Sequence, residues 1–173
     1  KRLSITRNAF VMLNTGKTAE GIQQYERYLE ILNTRFKTTT ETLHPHLFES
    51  AKDKEELLLC AAVFWDMART LDKQKGKEAQ FRLYLKKYVD FSIGTKHMIL
   101  SAETIRKYLK AGKATHVKDF ENAYNAIKLK MQKCFIAGAL YGPDSLQVST
   151  LQKFRDEILS KHMLGRIFIR LYY

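Results

Sequence analysis

Hydrophobic residues recur every three or four positions through most of the chain, which is the spacing of one face of an α-helix. A clear example lies between Thr18 and Phe36, where acidic residues flank a single apolar stripe. This stripe predicts an amphipathic helix that packs one face against a core. Its apolar positions are Ile22, Tyr25, Leu29, Leu32 and Phe36.

A second helix is predicted from residue 53 to residue 71. Ser50 and Asp53 match a helix-start signal, and acidic residues follow at positions 55 and 56, near the positive end of the helix dipole. The segment LLLCAAVFWDMA, residues 57–68, is apolar on nearly all sides. A helix of this kind is surrounded by neighbours, so we expect it at the centre of the fold, with Cys60 as a small buried hydrophobe.

The longest periodic pattern begins after Thr115 and reaches Cys134. Steps of three and four residues place its apolar members on one helix face, which predicts a buried seam that ends on the Cys134 thiol. The members of this seam are Val117, Phe120, Tyr124, Ile127, Met131 and Cys134. A Gly-Pro-Asp turn at residues 142–144 ends the predicted helix.

Further stripes and turns complete an all-α pattern. A short first helix within residues 1–13, an aromatic stripe over residues 81–91 and a helix over residues 101–110 are separated by turns at Gly16, Gly76, Gly94 and Gly112. Residues 37–46, rich in threonine and containing Pro45, predict a loop. We therefore predict one domain over residues 1–173, an irregular bundle of six or seven helices ending in a helical hairpin.

Composition and charge agree with a folded domain and add a bias toward acidic partners. The chain is 45% hydrophobic and 28% charged, with a formal net charge of +12. No apolar run reaches the roughly 18 residues that span a bilayer. Two cysteines without a paired motif suit a reducing compartment. These features predict a soluble protein of the cytoplasm, or a trimmed fragment of an effector.

The excess positive charge is concentrated in residues 91–133, which hold nine lysines and arginines against three acidic residues. Within this range, Arg106, Lys107, Lys110, Lys113 and His116 form the candidate surface for an acidic protein or a phosphate backbone. A solvated helix face explains the same residues, and no signature of a nucleic-acid-binding fold accompanies them.

Residues 134–142, CFIAGALYG, resemble the motif that names the bacterial CFI-box C-terminal domain, with Gly138 at the usual place of a threonine. The resemblance implies a bacterial protein whose N-terminal region precedes a box of unassigned activity. It covers residues 134–173, read as a 40-residue helical hairpin packed on a bundle of residues 1–133. Downstream matches to the family are Val148, Leu151, Phe154, Arg155, Asp156, Leu159, Leu164, Gly165, Phe168, Tyr172 and Tyr173, whereas Gln152 replaces its usual arginine.

Candidate chemistry is sparse. Cys134 is the one nucleophile candidate, but a thiol on a buried apolar seam has a raised pKa and is more often structural. His44 and His46 flank Pro45 and, with Glu49, lack the further ligand that a metal site needs. The sequence thus predicts no cofactor and no metal. No paired carboxylates, phosphate-binding glycine loop or Ser-His-Asp set is found at a usable spacing.

The leading functional hypothesis is therefore a non-enzymatic interaction module whose basic surface binds an acidic protein or nucleic acid. The rival hypothesis is a thiol-dependent bacterial enzyme or effector that uses Cys134. A third hypothesis, in which the box is a recognition tag on an adaptor or secreted effector, is not separated from these by sequence.

Overall fold

A computed structural model describes residues 2–49 and 52–131, together with residues 146, 150, 153, 154, 157–163 and 165. Within these residues the chain forms six α-helices and two single 3-10 turns, without a strand. The all-α prediction is confirmed. The helices are α1 (Arg2–Asn14), α2 (Thr18–Phe36), α3 (Lys54–Leu71), α4 (Glu78–Ser92), α5 (Met98–Lys110) and α6 (Val117–Met131), and the 3-10 turns are Pro45–Leu47 and Leu159–Lys161.

The six helices pack as three successive pairs, α1 with α2, α3 with α4, and α5 with α6. Short turns join the members of each pair, so neighbours in sequence become neighbours in space. Gly112 has a positive φ of 63°, as expected of the left-handed residue after a helix. α4 also packs on α6, and α2 on α3, which closes the pairs around a common core.

The core is centred on the α3–α4 pair. The Phe64 ring of α3 lies 6.1 Å from the Tyr84 ring and 5.3 Å from the Phe91 ring of α4, measured between centroids. The aromatic stripe of α4 is therefore buried in the core. None of the described helices is both long and apolar enough to cross a membrane.

Three sequence expectations need correction. α3 is not enclosed on all sides, because Leu58 is 43% exposed. Its first helical residue is Lys54, and the carboxylate of Asp53 binds the backbone N–H of Glu49 and the guanidinium of Arg35, with no cap hydrogen bond to α3. Ser50 lies outside the described residues.

The third correction concerns the seam of α6. Phe120 and Ile127 are fully buried, as predicted, but Val117 is 46% exposed. Val117 is the first residue of the helix, where no neighbouring element covers it. The described helix ends at Met131, so Cys134 and most of the predicted hairpin lie outside the described residues.

The loop between α2 and α3 is tied down by a buried lysine. The ammonium of Lys87 on α4 donates hydrogen bonds to the backbone carbonyls of Glu41, at 2.5 Å, and Leu43, at 2.7 Å. Burial lowers the pKa of the Lys87 ammonium. The predicted loop is confirmed. Its two carbonyl groups accept hydrogen bonds from the buried Lys87 ammonium, which a buried charge requires.

Candidate partner-binding cleft

The five predicted partner-binding residues do not share one surface. Arg106, Lys107 and Lys110 lie on α5, which ends at Lys110. The turn at residues 111–112 then changes the direction of the chain, so Lys113 no longer continues the face on which the helical spacing placed it. His116 follows in the same turn and directly precedes α6.

Arg106 is engaged on the surface of its own helix. Its Nε lies 2.6 Å from Oε2 of Glu103, and its Nη2 lies 2.5 Å from Oε1 of the same carboxylate. This two-point ion pair offsets the charge of Arg106 locally. Arg106 therefore contributes less to an anion-binding surface than the sequence pattern suggests.

His116 is engaged in the structure of the bundle. Its ring Nδ1 lies 2.9 Å from Oδ1 of Asp72, and its ring stacks on Phe81 at 4.9 Å between centroids. The carboxylate of Asp72 also accepts the backbone N–H groups of Thr115 and His116. Burial alone would raise the pKa of Asp72, but these hydrogen bonds outweigh burial and lower it.

Lys107 and Lys113 meet at a cleft of about 740 Å³ between the C-terminal halves of α3 and α5. Arg69 of α3 and Lys73, in the turn after α3, line the same cleft, so four cationic side chains surround it. The last residues of α1, Leu13 and Asn14, and the first residue of α2, Thr18, form a further wall. Among the described residues that line it there is no aspartate or glutamate, which makes the space attractive to anions.

Arg69 is held in place by a buried carboxylate. Its Nε donates a hydrogen bond of 2.8 Å to Oδ1 of Asp66, and the Tyr25 hydroxyl donates one of 2.7 Å to Oδ2. Among the described residues, no hydrogen bond or ion pair engages the terminal nitrogens of Arg69. The guanidinium is thus oriented in advance with donors to spare, which lowers the entropic cost of binding a ligand.

Aromatic side chains form the apolar part of the cleft. Trp65 and Tyr108 line it, and their rings meet edge to face at 5.4 Å between centroids. Burial raises the pKa of Tyr108 to about 12, and its hydroxyl lies 3.4 Å from Oδ2 of Asp72. Trp65 is the single tryptophan of the chain, so its fluorescence reports on this cleft.

Sequence reasoning missed the contribution of α3. Arg69 lies in the last turn of α3 and Lys73 in the turn that follows, and the charge pattern of the sequence did not single out either residue. Their distance along the chain from Lys107 hides their proximity in space. Only the packing of α3 and α5 on α4 and α6 reveals it.

The described thiol is not a reactive centre. Cys60 is fully buried, its sulfur lies 3.3 Å from the Tyr28 hydroxyl, and burial raises its pKa to about 12. Such a thiol is not ionised near neutral pH and reacts slowly. The other cysteine, Cys134, lies outside the described residues, and the hypothesis built on it stays a prediction.

The histidines of the α2–α3 loop contact each other. The Nδ1 atoms of His44 and His46 are 2.7 Å apart, which is a hydrogen-bond distance, and their rings lie 4.6 Å apart between centroids. Across the described part of the chain, no three His, Cys, Asp or Glu residues are grouped so that they could hold a metal ion. This pair therefore carries no argument for a metal centre.

Comparison with known proteins found no matching family model, curated protein or solved structure. The resemblance of residues 134–173 to the CFI box accordingly stays a prediction. The functional proposal is therefore based on the geometry of the described residues.

Proposed function

We propose that this protein is a non-enzymatic interaction module whose cationic cleft binds an acidic partner. The observation that carries the proposal is the convergence of Arg69, Lys73, Lys107 and Lys113 on one cleft whose described lining contains no acidic residue. Two of these residues, Lys107 and Lys113, belong to the basic surface that the sequence predicted.

The net charge and the cleft act at different stages of binding. The formal net charge of +12 speeds the encounter with an acidic partner, because opposite fields steer diffusing molecules together. The cleft then supplies the contacts that hold the partner, through the oriented guanidinium of Arg69 and three mobile ammonium groups. Exposed ammonium groups alone would give weak binding that salt removes.

The first prediction is that acidic polymers bind at the cleft and are released by salt. Titration with oligoglutamate and with a single-stranded oligonucleotide should change Trp65 fluorescence for at least one of them. The affinity should fall at least tenfold between about 50 and about 200 mM salt, because released counterions oppose binding. Absence of binding by both polymers at low salt would contradict the proposal.

A pair of charge-matched variants locates the binding. Lys73→Glu/Lys107→Glu reverses two cleft charges, whereas Lys86→Glu/Lys118→Glu makes the same change in net charge at exposed positions that do not line it. We expect the cleft variant to lose at least tenfold more affinity than its control, because reversed contact charges repel the ligand. Equal losses would show that net charge, and not the cleft, binds the partner.

A further inference from the structure

A second depression lies between the N-terminal halves of α3 and α5. It has a volume of about 300 Å³ and is mostly apolar, with Leu57, Leu58, Ala61 and Phe91 among its lining residues. Its cations are Lys54 and Lys96, and its described lining, like that of the cationic cleft, contains no aspartate or glutamate. An apolar recess next to cationic side chains is complementary to an apolar side chain that is flanked by acidic residues.

The two depressions follow each other along the same helix faces. On α3, Leu58 and Ala61 line the apolar recess, and Trp65 and Arg69 line the cationic cleft. Steps of three and four residues keep all four positions on one side of the helix.

α5 shows the same succession. Ser101 lines the apolar recess, whereas Thr104, Tyr108 and Ala111 line the cationic cleft, again at steps of three and four residues. Since the N-terminal halves of both helices line the recess and the C-terminal halves line the cleft, α3 and α5 run in the same direction. The two depressions therefore lie in line between α3 and α5, and we refer to them together as the groove, with an apolar end and a cationic end.

The groove has the length of several helical turns and a rigid base. From Lys54 to Thr70 the α3 wall spans ~24 Å at the rise of an α-helix. Phe91 of α4 is buried at the apolar end, and the Trp65 ring packs 5.1 Å from Tyr88 of α4. The base is therefore part of the folded core.

We propose that this groove binds an acidic amphipathic segment of a partner protein. A large apolar side chain of the segment enters the recess beside Leu58, while its carboxylates pair with Arg69 and the lysines at the other end. The inference rests on the proposed function and specifies its partner. Segments of this kind bind grooves through apolar residues at three- and four-residue steps.

The apolar recess favours a protein over a nucleic acid as the partner that binds the groove. A phosphodiester strand would use the cations but has no aliphatic side chain to fill the space between Leu57, Leu58 and Ala61. A peptide with leucine and glutamate on opposite faces satisfies both ends of the groove. The charge pattern alone would accept either partner.

The test uses four probes, with Trp65 fluorescence as the readout. The first is a peptide of about 18 residues, long enough as a helix to span the groove, with leucines on one face and glutamates elsewhere. The others are the same peptide with glutamine for glutamate, oligoglutamate, and a single-stranded oligonucleotide. We expect the acidic amphipathic peptide to bind at least tenfold tighter than each of the other three. Tighter binding of the oligonucleotide, or equal binding of oligoglutamate, would overturn the inference.

A substitution at the apolar end separates insertion from simple charge attraction. Leu58→Lys adds a positive charge to the groove, so pure electrostatics predicts tighter binding of the acidic peptide, whereas loss of the apolar contact predicts weaker binding. We expect at least tenfold weaker binding. Leu129→Lys makes the same change at a residue that is 64% exposed and lines neither depression, and we expect it to bind at least as tightly as the unchanged protein.

Because Leu58 is 43% exposed, the fold should tolerate the change, which circular dichroism and thermal unfolding would confirm. Equal affinities of the Leu58→Lys and Leu129→Lys variants would overturn the inference. If Lys73→Glu/Lys107→Glu still lost binding in that case, an acidic partner at the cationic cleft would stand without the groove. If substitutions at neither end of the groove changed the affinity for the acidic peptide, both proposals would fail.

Discussion

At the scale of single residues, Lys37 shows how α2 ends. It adopts a left-handed conformation, with φ at 50° and ψ at 51°, and its backbone N–H binds the carbonyl of Asn33. Among the described residues other than glycine, it alone has a positive φ. A side chain in this conformation costs roughly 1–2 kcal/mol, because Cβ crowds the following carbonyl oxygen. The sequence offers no glycine there, so the left-handed conformation of Lys37 could not be predicted, although the loop that begins at this residue was.

Replacing Lys37 with glycine should raise the free energy of unfolding by about 0.5–1 kcal/mol. Glycine removes the steric cost of the left-handed turn, and this gain exceeds its greater loss of backbone entropy on folding. Urea unfolding measures the change, with Lys37→Ala as the control that keeps Cβ and should bring no gain. A less stable Lys37→Gly protein would show that the lysine side chain has a stabilising role here.

At the scale of helices, Asp72 joins the end of α3 to the start of α6. Its backbone N–H binds the carbonyl of Ala68 in the last turn of α3, at 2.9 Å. Its carboxylate accepts the N–H groups of Thr115, at 2.8 Å, and His116, at 2.9 Å. The N-terminal backbone donors before α6 are thus satisfied by a residue from another helix. The periodicity of each single helix does not predict such a link between helices.

Asp72→Asn should destabilise the protein by ~2 kcal/mol near neutral pH, because an amide replaces the buried carboxylate that accepts these hydrogen bonds. The pKa of Asp72 is lowered in the folded state, so its contribution is present above its unfolded pKa, about 4, and is lost as the pH falls through its folded pKa. Thermal unfolding between about pH 2 and pH 6 should show this decline, weakened in Asp72→Asn. Identical pH profiles for the two proteins would contradict this role.

At the scale of the whole molecule, charge and shape favour one region for binding. The groove combines cations at the C-terminal ends of α3 and α5 with an apolar recess at their N-terminal halves. The formal net charge of +12 also means that the folded chain repels itself. Binding an acidic partner relieves this repulsion, which couples stability to the proposed function.

Added sodium chloride should therefore raise the melting temperature by about 2–4 °C between low and physiological ionic strength, because screening weakens the net repulsion. Lys73→Glu/Lys107→Glu lowers the formal net charge by four, from +12 to +8, so the melting temperature of this variant should rise less with added salt. Calorimetry at several salt concentrations measures both. A melting temperature that fell with salt would show that local ion pairs outweigh the net charge.

Most of the fold could be predicted from local pattern. The stripe of α2, the glycine turn after α5 and the burial of Cys60 follow from residue spacing and local backbone preference. The errors arose where a neighbour is missing or distant. Val117 has helical spacing but no cover, and Leu58 belongs to an apolar segment that borders an open groove.

The sequence predicted only part of the candidate site. Lys107 and Lys113 belong to the charged region that the sequence singled out, and both line the cleft. Arg106 and His116, from the same region, are engaged by Glu103 and Asp72. Whether a charged side chain is paired depends on its neighbours in space, which spacing within one helix does not specify.

The sequence by itself determined that the described residues form helices, because a spacing of three and four residues lets a chain bury one side only as a helix. It also determined a surface rich in positive charge. The tertiary structure decided which charges meet, since α3 and α5 contribute to one groove although they lie far apart in the chain. Side-chain periodicity describes one helix at a time, whereas a binding site depends on the packing between helices.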